Sequence, residues 1–208
     1  MKAVGIEHAL IPGVEAPFEP HPICRQPGIR FALGLHPQAE AGGRWKEALG
    51  EALDRHHPSA VGELGWDRRG GTELDRAITQ MLLAKARRLP VILHLVGHCP
   101  ELLSAVQERG LRAQLHRCTG RPQRFRAYWE AGHYISIGPS LRGDLRLAQA
   151  VPLQQILLET DAESEADAPW SSLPQLYEEV ARARGMRVDE LIAQIRNNYS
   201  KFLGEPPS

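Results

Sequence analysis

Four residues of this sequence have the chemistry of divalent-metal ligands and share one local context. Glu63, His94, His116 and Asp161 each close a short apolar run: Ala60-Val61-Gly62-Glu63, Val91-Ile92-Leu93-His94, Ala113-Gln114-Leu115-His116 and Ile156-Leu157-Leu158-Glu159-Thr160-Asp161. Two imidazoles and two carboxylates suit a borderline divalent cation such as Zn, Mn or Co, or Mg with a larger share of water. A carboxylate that bridges two ions would also support in-line displacement at phosphorus. Each residue has a plainer reading. A lone histidine at a strand end is usually a capping or solvated group, and Glu63 or Asp161 could cap the helix that follows. Four such residues on four different strands are harder to dismiss, yet the pattern alone leaves a shared metal site and separate structural roles evenly balanced. His36, in Gly34-Leu35-His36-Pro37, also ends a strand and could line the same rim or satisfy a loop carbonyl. His8, His21, His56, His57, His98 and His133 lack this placement and read as structural or solvated.

The elements that must position these groups follow from periodicity. Strands are predicted over His8–Val14, Ile29–Leu35, Ala60–Gly65, Val91–His94, Arg112–His116, Tyr134–Gly138 and Gln155–Asp161. Between them, helical spacing of apolar residues predicts helices over Arg44–Arg55, Glu73–Arg88, Pro100–Glu108 and Pro122–Glu130, with a short one near Leu145–Ala150. Two helices close the chain, about Ser172–Arg184 and Val188–Phe202. Alternation of apolar strands with amphipathic helices is the mark of a parallel sheet covered by helices. About seven strands is too many for a small doubly wound domain and one short of a (β/α)8 barrel. In such a barrel, adjacent strands aim their C-terminal residues at one point, where active sites assemble.

Bulk properties bound the rest. The 208 residues favour a single domain, 1–208, and no linker or low-complexity stretch divides them. Formal net charge is zero, so a large non-specific field for nucleic acid is absent, although a local basic patch is compatible with it. Arg112, Arg117, Arg121, Arg124 and Arg126 surround His116 in sequence and read either as a phosphate-binding rim or as a solvated helix face. Three scattered cysteines, Cys24, Cys99 and Cys118, form no CxxC pair and fit a reducing cytosol. No apolar run is long enough for a membrane span and no signal peptide is evident, so a cytoplasmic protein without membrane contact is expected.

Six blocks then resemble, in order, the motifs of TatD-type metal-dependent deoxyribonucleases: Pro12-Gly13-Val14-Glu15, Ala32-Leu33-Gly34-Leu35-His36-Pro37, Val61-Gly62-Glu63-Leu64-Gly65-Trp66-Asp67, Leu89-Pro90-Val91-Ile92-Leu93-His94, His116-Arg117-Cys118-Thr119-Gly120 and Leu157-Leu158-Glu159-Thr160-Asp161-Ala162. The ending Arg196-Asn197-Asn198-Tyr199-Ser200-Lys201-Phe202 is similar to that family's last helix. Together they cover nearly the whole chain. The resemblance implies a TIM-like α/β barrel of the amidohydrolase type, one to three divalent ions (Mg, Mn, Zn or Co), and hydrolysis of phosphodiesters, often at DNA 3′ ends. It implies Glu63 as a bridging carboxylate, His94 and His116 as ligands of one ion, and Asp161 as ligand of the other and as the catalytic group that orients or deprotonates the attacking water. His36 and Asp67 become nearby substrate-binding positions.

The sequence also departs from that pattern. The family opens with a strand bearing His-x-His, and this chain as written starts past it, so a barrel lacking its first βα unit is expected. His94-Leu95-Val96-Gly97 lacks the small polar and basic residues usual after that histidine. Thr119 stands near where an aromatic is usual, and Ala162-Glu163-Ser164 replaces the usual Ala-Pro. These departures keep a second reading open: a non-catalytic binding or scaffold protein derived from such a hydrolase, or an enzyme whose activity in this short form is impaired.

Overall fold

The computed structural model describes residues 8–13, 17–138, 145–161 and 169–206. Met1–Glu7, and the ends of two motif blocks at Val14, Glu15 and Ala162, lie outside them. The chain divides into two compact units, Glu7–Ala113 and a second that holds Gln114–Ser208.

In the first unit, strands β1 (Ala9–Gly13), β2 (Ile29–Leu33), β3 (Ala60–Asp67) and β4 (Val91–Val96) pair in parallel in that order. Helices α1 (Trp45–His56), α2 (Leu74–Arg87) and α3 (Pro100–Glu108) alternate with them. Leu49, Ala52 and Leu53 of α1 and Ala77, Met81 and Ala84 of α2 are buried, the helical stripe expected from their spacing. In the second unit, β5 (Ala113–Leu115), β6 (Tyr134–Ile137) and β7 (Ile156–Leu158) are again parallel neighbours. Helices α4 (Arg126–Glu130), α5 (Arg146–Ala150), α6 (Pro169–Arg184) and α7 (Val188–Leu203) accompany them. Asn198 of α7 is buried and donates to the carbonyls of Leu153 and Ile156, both at 2.8 Å, tying the last helix to the start of β7.

Three differences from the periodicity matter. Pro22–Arg25, within a stretch without helical spacing, forms a short 3-10 turn that His21 caps through its Nδ1. The helix expected over Pro122–Glu130 is a 3-10 turn at Pro122–Arg124 followed by α4, with Phe125 between them at φ −107° and ψ −1°. Finally, β3 and β4 run on to Asp67 and Val96, so Glu63 and His94 lie inside their strands rather than at the ends.

The pairing of β3 with β4 gives the physical reason for this last difference. Their register shifts between Val61 and Leu64. Gly62 and Gly65 flank Glu63, both with φ +150°, a region that disfavours any side chain. A Cβ on Gly62 would lie 2.6 Å from the Ile92 carbonyl oxygen, and one on Gly65 would overlap the carbonyl oxygen of His94. Glycine at both positions lets β4 approach, and the irregularity sets Glu63 and His94 side by side.

Candidate metal centre

The first unit gathers three groups whose ligand atoms all lie within 4.8 Å of one another: His36, Glu63 and His94. Glu63 and His94 are buried and His36 is partly so. Between the ring nitrogens, His36 Nε2 is 3.1 Å from His94 Nδ1. Glu63 Oε2 is 3.8 Å from His94 Nδ1 and 3.9 Å from His36 Nε2. Two donors bound at about 2.1 Å to a tetrahedral ion sit roughly 3.4 Å apart, so these separations straddle the spacing of ligands around one ion. The donor types, nitrogen with carboxylate oxygen, fit the same class of cation.

The protons in this group have a direction. The Gln38 backbone N–H donates to His36 Nδ1 at 3.2 Å, so a neutral His36 carries its proton on Nε2. His94 Nε2 faces Asp67 Oδ2 at 2.9 Å. Asp67 has no exposed surface, and the Arg69 guanidinium beside it holds its carboxyl far below the usual carboxylate range. An ionised Asp67 only accepts, so the His94 proton sits on Nε2 and its Nδ1 presents a lone pair to the group. The resulting chain runs from Gln38 N–H to His36, from His36 Nε2–H to His94, and from His94 Nε2–H to Asp67.

Helix α2 holds the loop that carries His36. Gln80, fully enclosed, accepts from the Leu35 N–H at 2.7 Å and donates to the Leu35 carbonyl at 3.0 Å. One turn earlier, Arg76 donates to the carbonyls of Pro37 and Ala39 at 3.3 and 2.7 Å. Gly71 completes the cradle, since a Cβ there would overlap the Pro37 carbonyl. The sequence analysis did not single out Gln80, Arg76 or Arg69. The four-residue spacing of Arg76 and Gln80, which places both on one face of α2, was the available signal.

The second unit brings together His116 and Asp161. His116 follows β5 directly, and Asp161 lies three residues past β7. His116 Nδ1 is 3.5 Å from Asp161 Oδ1, while Arg117 Nε lies 2.8 Å from Asp161 Oδ2. Arg117 and Asp161 both adopt left-handed backbone, φ 51° and 52°. Two non-glycine residues held there within one small group mark a locally constrained site. The Arg117 N–H also donates to Glu159 Oε1, and burial pushes the Glu159 carboxyl up, opposed chiefly by His116. Of the arginines near His116, Arg126 pairs with Glu130 at 2.7 Å and Arg124 lies over the Phe125 ring. Cys118 is buried, and its thiol is raised by that burial.

The comparisons with known proteins give a family and a fold. The family model described as TatD related DNase matches residues 23–204. The chain belongs to that family. Among solved structures, the TatD homologue YJJV of Escherichia coli K12 superposes with a TM-score of 0.82 at 23% identity, covering 98% of this chain and 88% of that one. A hydrolase TatD family protein of Entamoeba histolytica gives 0.79 at 15% identity, covering 100% and 87%. A TatD-like protein of Archaeoglobus fulgidus gives 0.68 at 19%, covering 98% and 91%. No sequence among curated proteins matches significantly. This TatD-family chain therefore has the α/β fold of the TIM-like barrel class expected of it. Among its described residues, no helix is long and apolar enough to cross a membrane.

Proposed function

We propose that this TatD-family protein is a divalent-metal-dependent hydrolase acting on phosphodiester bonds, with DNA as its substrate class. The observation that carries the reading is the group of His36, Glu63 and His94 in the first unit, where Glu63 Oε2 and the unprotonated Nδ1 of His94 converge at 3.8 Å. A bound ion there would polarise a phosphoryl oxygen and offset the charge that develops on it. Glu63 and His94 would hold it, and the family resemblance adds His116 and Asp161 to the ligand set.

His36 has a different role in this reading. Its Nδ1 is occupied by the Gln38 N–H, so it offers a donor, Nε2–H, rather than a lone pair. An ion taking His94 Nδ1 would displace that N–H from the ring, and the donor would then suit a phosphate oxygen of the substrate. Asp161 is the group that orients or deprotonates the attacking water, and it must exchange its contact with the Arg117 guanidinium to do so. The guanidinium released from Asp161 is then free to meet a phosphate.

The pairing of Asp161 with Arg117 is also the one observation that favours the second reading, a binding protein without catalysis, because a carboxylate neutralised by arginine is a poor base. Degradation of single-stranded DNA from its 3′ end with added Mg or Mn separates the two. Turnover that requires metal and disappears in Asp161→Asn supports the hydrolase. Tight DNA binding with no turnover in any of the four metals supports the binding protein.

A further inference from the structure

We propose that Asp67 is a positioning residue that sets the tautomer of His94, turning the imidazole Nδ1 lone pair toward Glu63 and His36. Asp67 touches none of the space those groups share. Both of its oxygens are taken. Oδ1 accepts from the Arg69 backbone N–H at 2.9 Å and from Arg69 Nε at 3.0 Å. Oδ2 accepts from Arg69 Nη2 at 2.6 Å, and His94 Nε2 approaches it at 2.9 Å. Arg69, more than half exposed, covers the carboxylate from the solvent side, while Asp67 itself has no exposed surface.

This bonding makes the carboxylate irreplaceable by its own amide. In Asp67→Asn, one atom must still meet the Arg69 backbone N–H, a donor fixed by the Asp67-Arg68-Arg69 turn. The amide oxygen takes that place, because the backbone N–H cannot move away from an amide NH2, whereas the Arg69 guanidinium, more than half exposed, can swing off the Oδ2 position. The amide NH2 then occupies the position of Oδ2, facing His94 Nε2. A donor there stabilises the His94 tautomer that carries its proton on Nδ1, and the lone pair turns away from Glu63. Carboxylate and amide have nearly the same shape, so the substitution reverses the proton without removing volume. Hydrogen-bond partners of metal-bound histidines generally fix the ring in this way.

The proposal concerns the tautomer of His94, and its consequence for an ion rests on the metal-ligand reading above. Nitrogen-15 NMR of histidine-labelled, metal-free protein reads the tautomer directly. Wild type is expected to show His94 protonated at Nε2, and Asp67→Asn to move that proton to Nδ1 while the exposed His57 keeps its signal. Titration with Mn or Zn is expected to show about 10- to 100-fold weaker binding for Asp67→Asn. A wild-type His94 protonated at Nδ1 overturns the proposal, as does an Asp67→Asn protein with the wild-type tautomer. Should Asp67→Asn fail to fold, Arg69→Ala keeps the carboxylate, and loss of the Nε2–H tautomer there also overturns it. A tautomer switch in a protein that binds neither Mn nor Zn supports the role of Asp67 and sinks the metal-dependent reading.

Discussion

The two units carry their polar groups in contrasting ways. In the first, His36, Glu63 and His94 sit on or beside long strands, and each imidazole has one nitrogen fixed by a partner, Gln38 N–H for His36 and Asp67 for His94. In the second, Asp161 stands on a loop past the three-residue β7, in left-handed backbone, and its charge is met by a guanidinium that is 54% exposed. The first arrangement fixes its ring nitrogens before anything binds, which on the proposed reading would favour an ion once the His36 Nε2–H leaves His94 Nδ1. The second is organised for exchange, since a half-exposed ion pair is weak and can be traded for another partner. On the proposed hydrolase reading, the fixed groups would hold a cation, and the releasable carboxylate and guanidinium would handle the substrate.

The largest effect expected from breaking this contrast is at the fixed end. His94→Ala should lower phosphodiester turnover by more than the ~10- to 100-fold typical of an outer partner of a metal ligand, and should weaken Mn or Zn binding in parallel. Calorimetric titration beside a turnover assay checks both. His36→Gln should lower turnover while leaving ion affinity within a few-fold, if His36 donates to substrate as its protonation indicates. An equal loss of ion affinity in the two variants would make His36 a ligand and erase its separate role.

Next in size is the support beneath the fixed group. Gly65→Ala places a methyl against the His94 carbonyl at a backbone angle that disfavours a side chain. A cost of about 3 kcal/mol is expected, the upper end of what a forced backbone conformation carries. Thermal unfolding measures it. Gln80→Ala leaves the Leu35 N–H and C=O unpaired in a buried setting and should cost about 1–3 kcal/mol, with loss of turnover through displacement of His36. Arg117→Ala tests the exchangeable side, and its stability change should stay within ~1 kcal/mol because the guanidinium is largely solvated. A cost as large as that of Gln80→Ala would show that the second group is as rigidly built as the first.

Much of this was legible in the sequence, and the reasons are specific. Strand and helix order followed from apolar spacing because parallel strands buried on both faces read as continuous apolar runs, as in Val91-Ile92-Leu93. The position of Glu63 within β3 was not legible, because the register shift beside Gly62 depends on contact with β4, which lies some 30 residues on. The bond from His94 to Asp67 spans 27 residues, and that from Gln80 to Leu35 spans 45. Periodicity reports which face of an element is buried; it carries nothing about which polar atom on one element meets which on another. The arginines around His116 illustrate the same limit: they are adjacent in sequence, yet Arg117 and Arg126 take different acidic partners.

The smallest expected effect uses acidity to separate the units, because each holds a carboxyl shifted in the opposite direction. Asp67 is held low, first by Arg69, with burial opposing it. A carboxyl whose pKa is lower folded than unfolded contributes stability above its unfolded value, near 3.9, and that contribution declines as the pH falls toward the folded value. Glu159 is raised, first by burial, with His116 opposing. Its ionisation therefore opposes folding once the pH rises above the unfolded value of about 4.3, and the penalty is complete above the folded pKa. Asp67→Asn should accordingly lower the melting temperature at pH 7 and lower it less at pH 3. Glu159→Gln, whose amide oxygen can still accept from the Arg117 N–H, should raise the melting temperature at pH 7 and leave it nearly unchanged at pH 3. Melts of metal-free protein at the two pH values decide the matter. Opposite signs at pH 7 that converge toward acid bear out the two environments. A Glu159→Gln protein that melts lower at pH 7 would mean that its charged form is held by His116 more strongly than burial opposes it, and the second group would then be an ionic lock rather than an exchangeable pair.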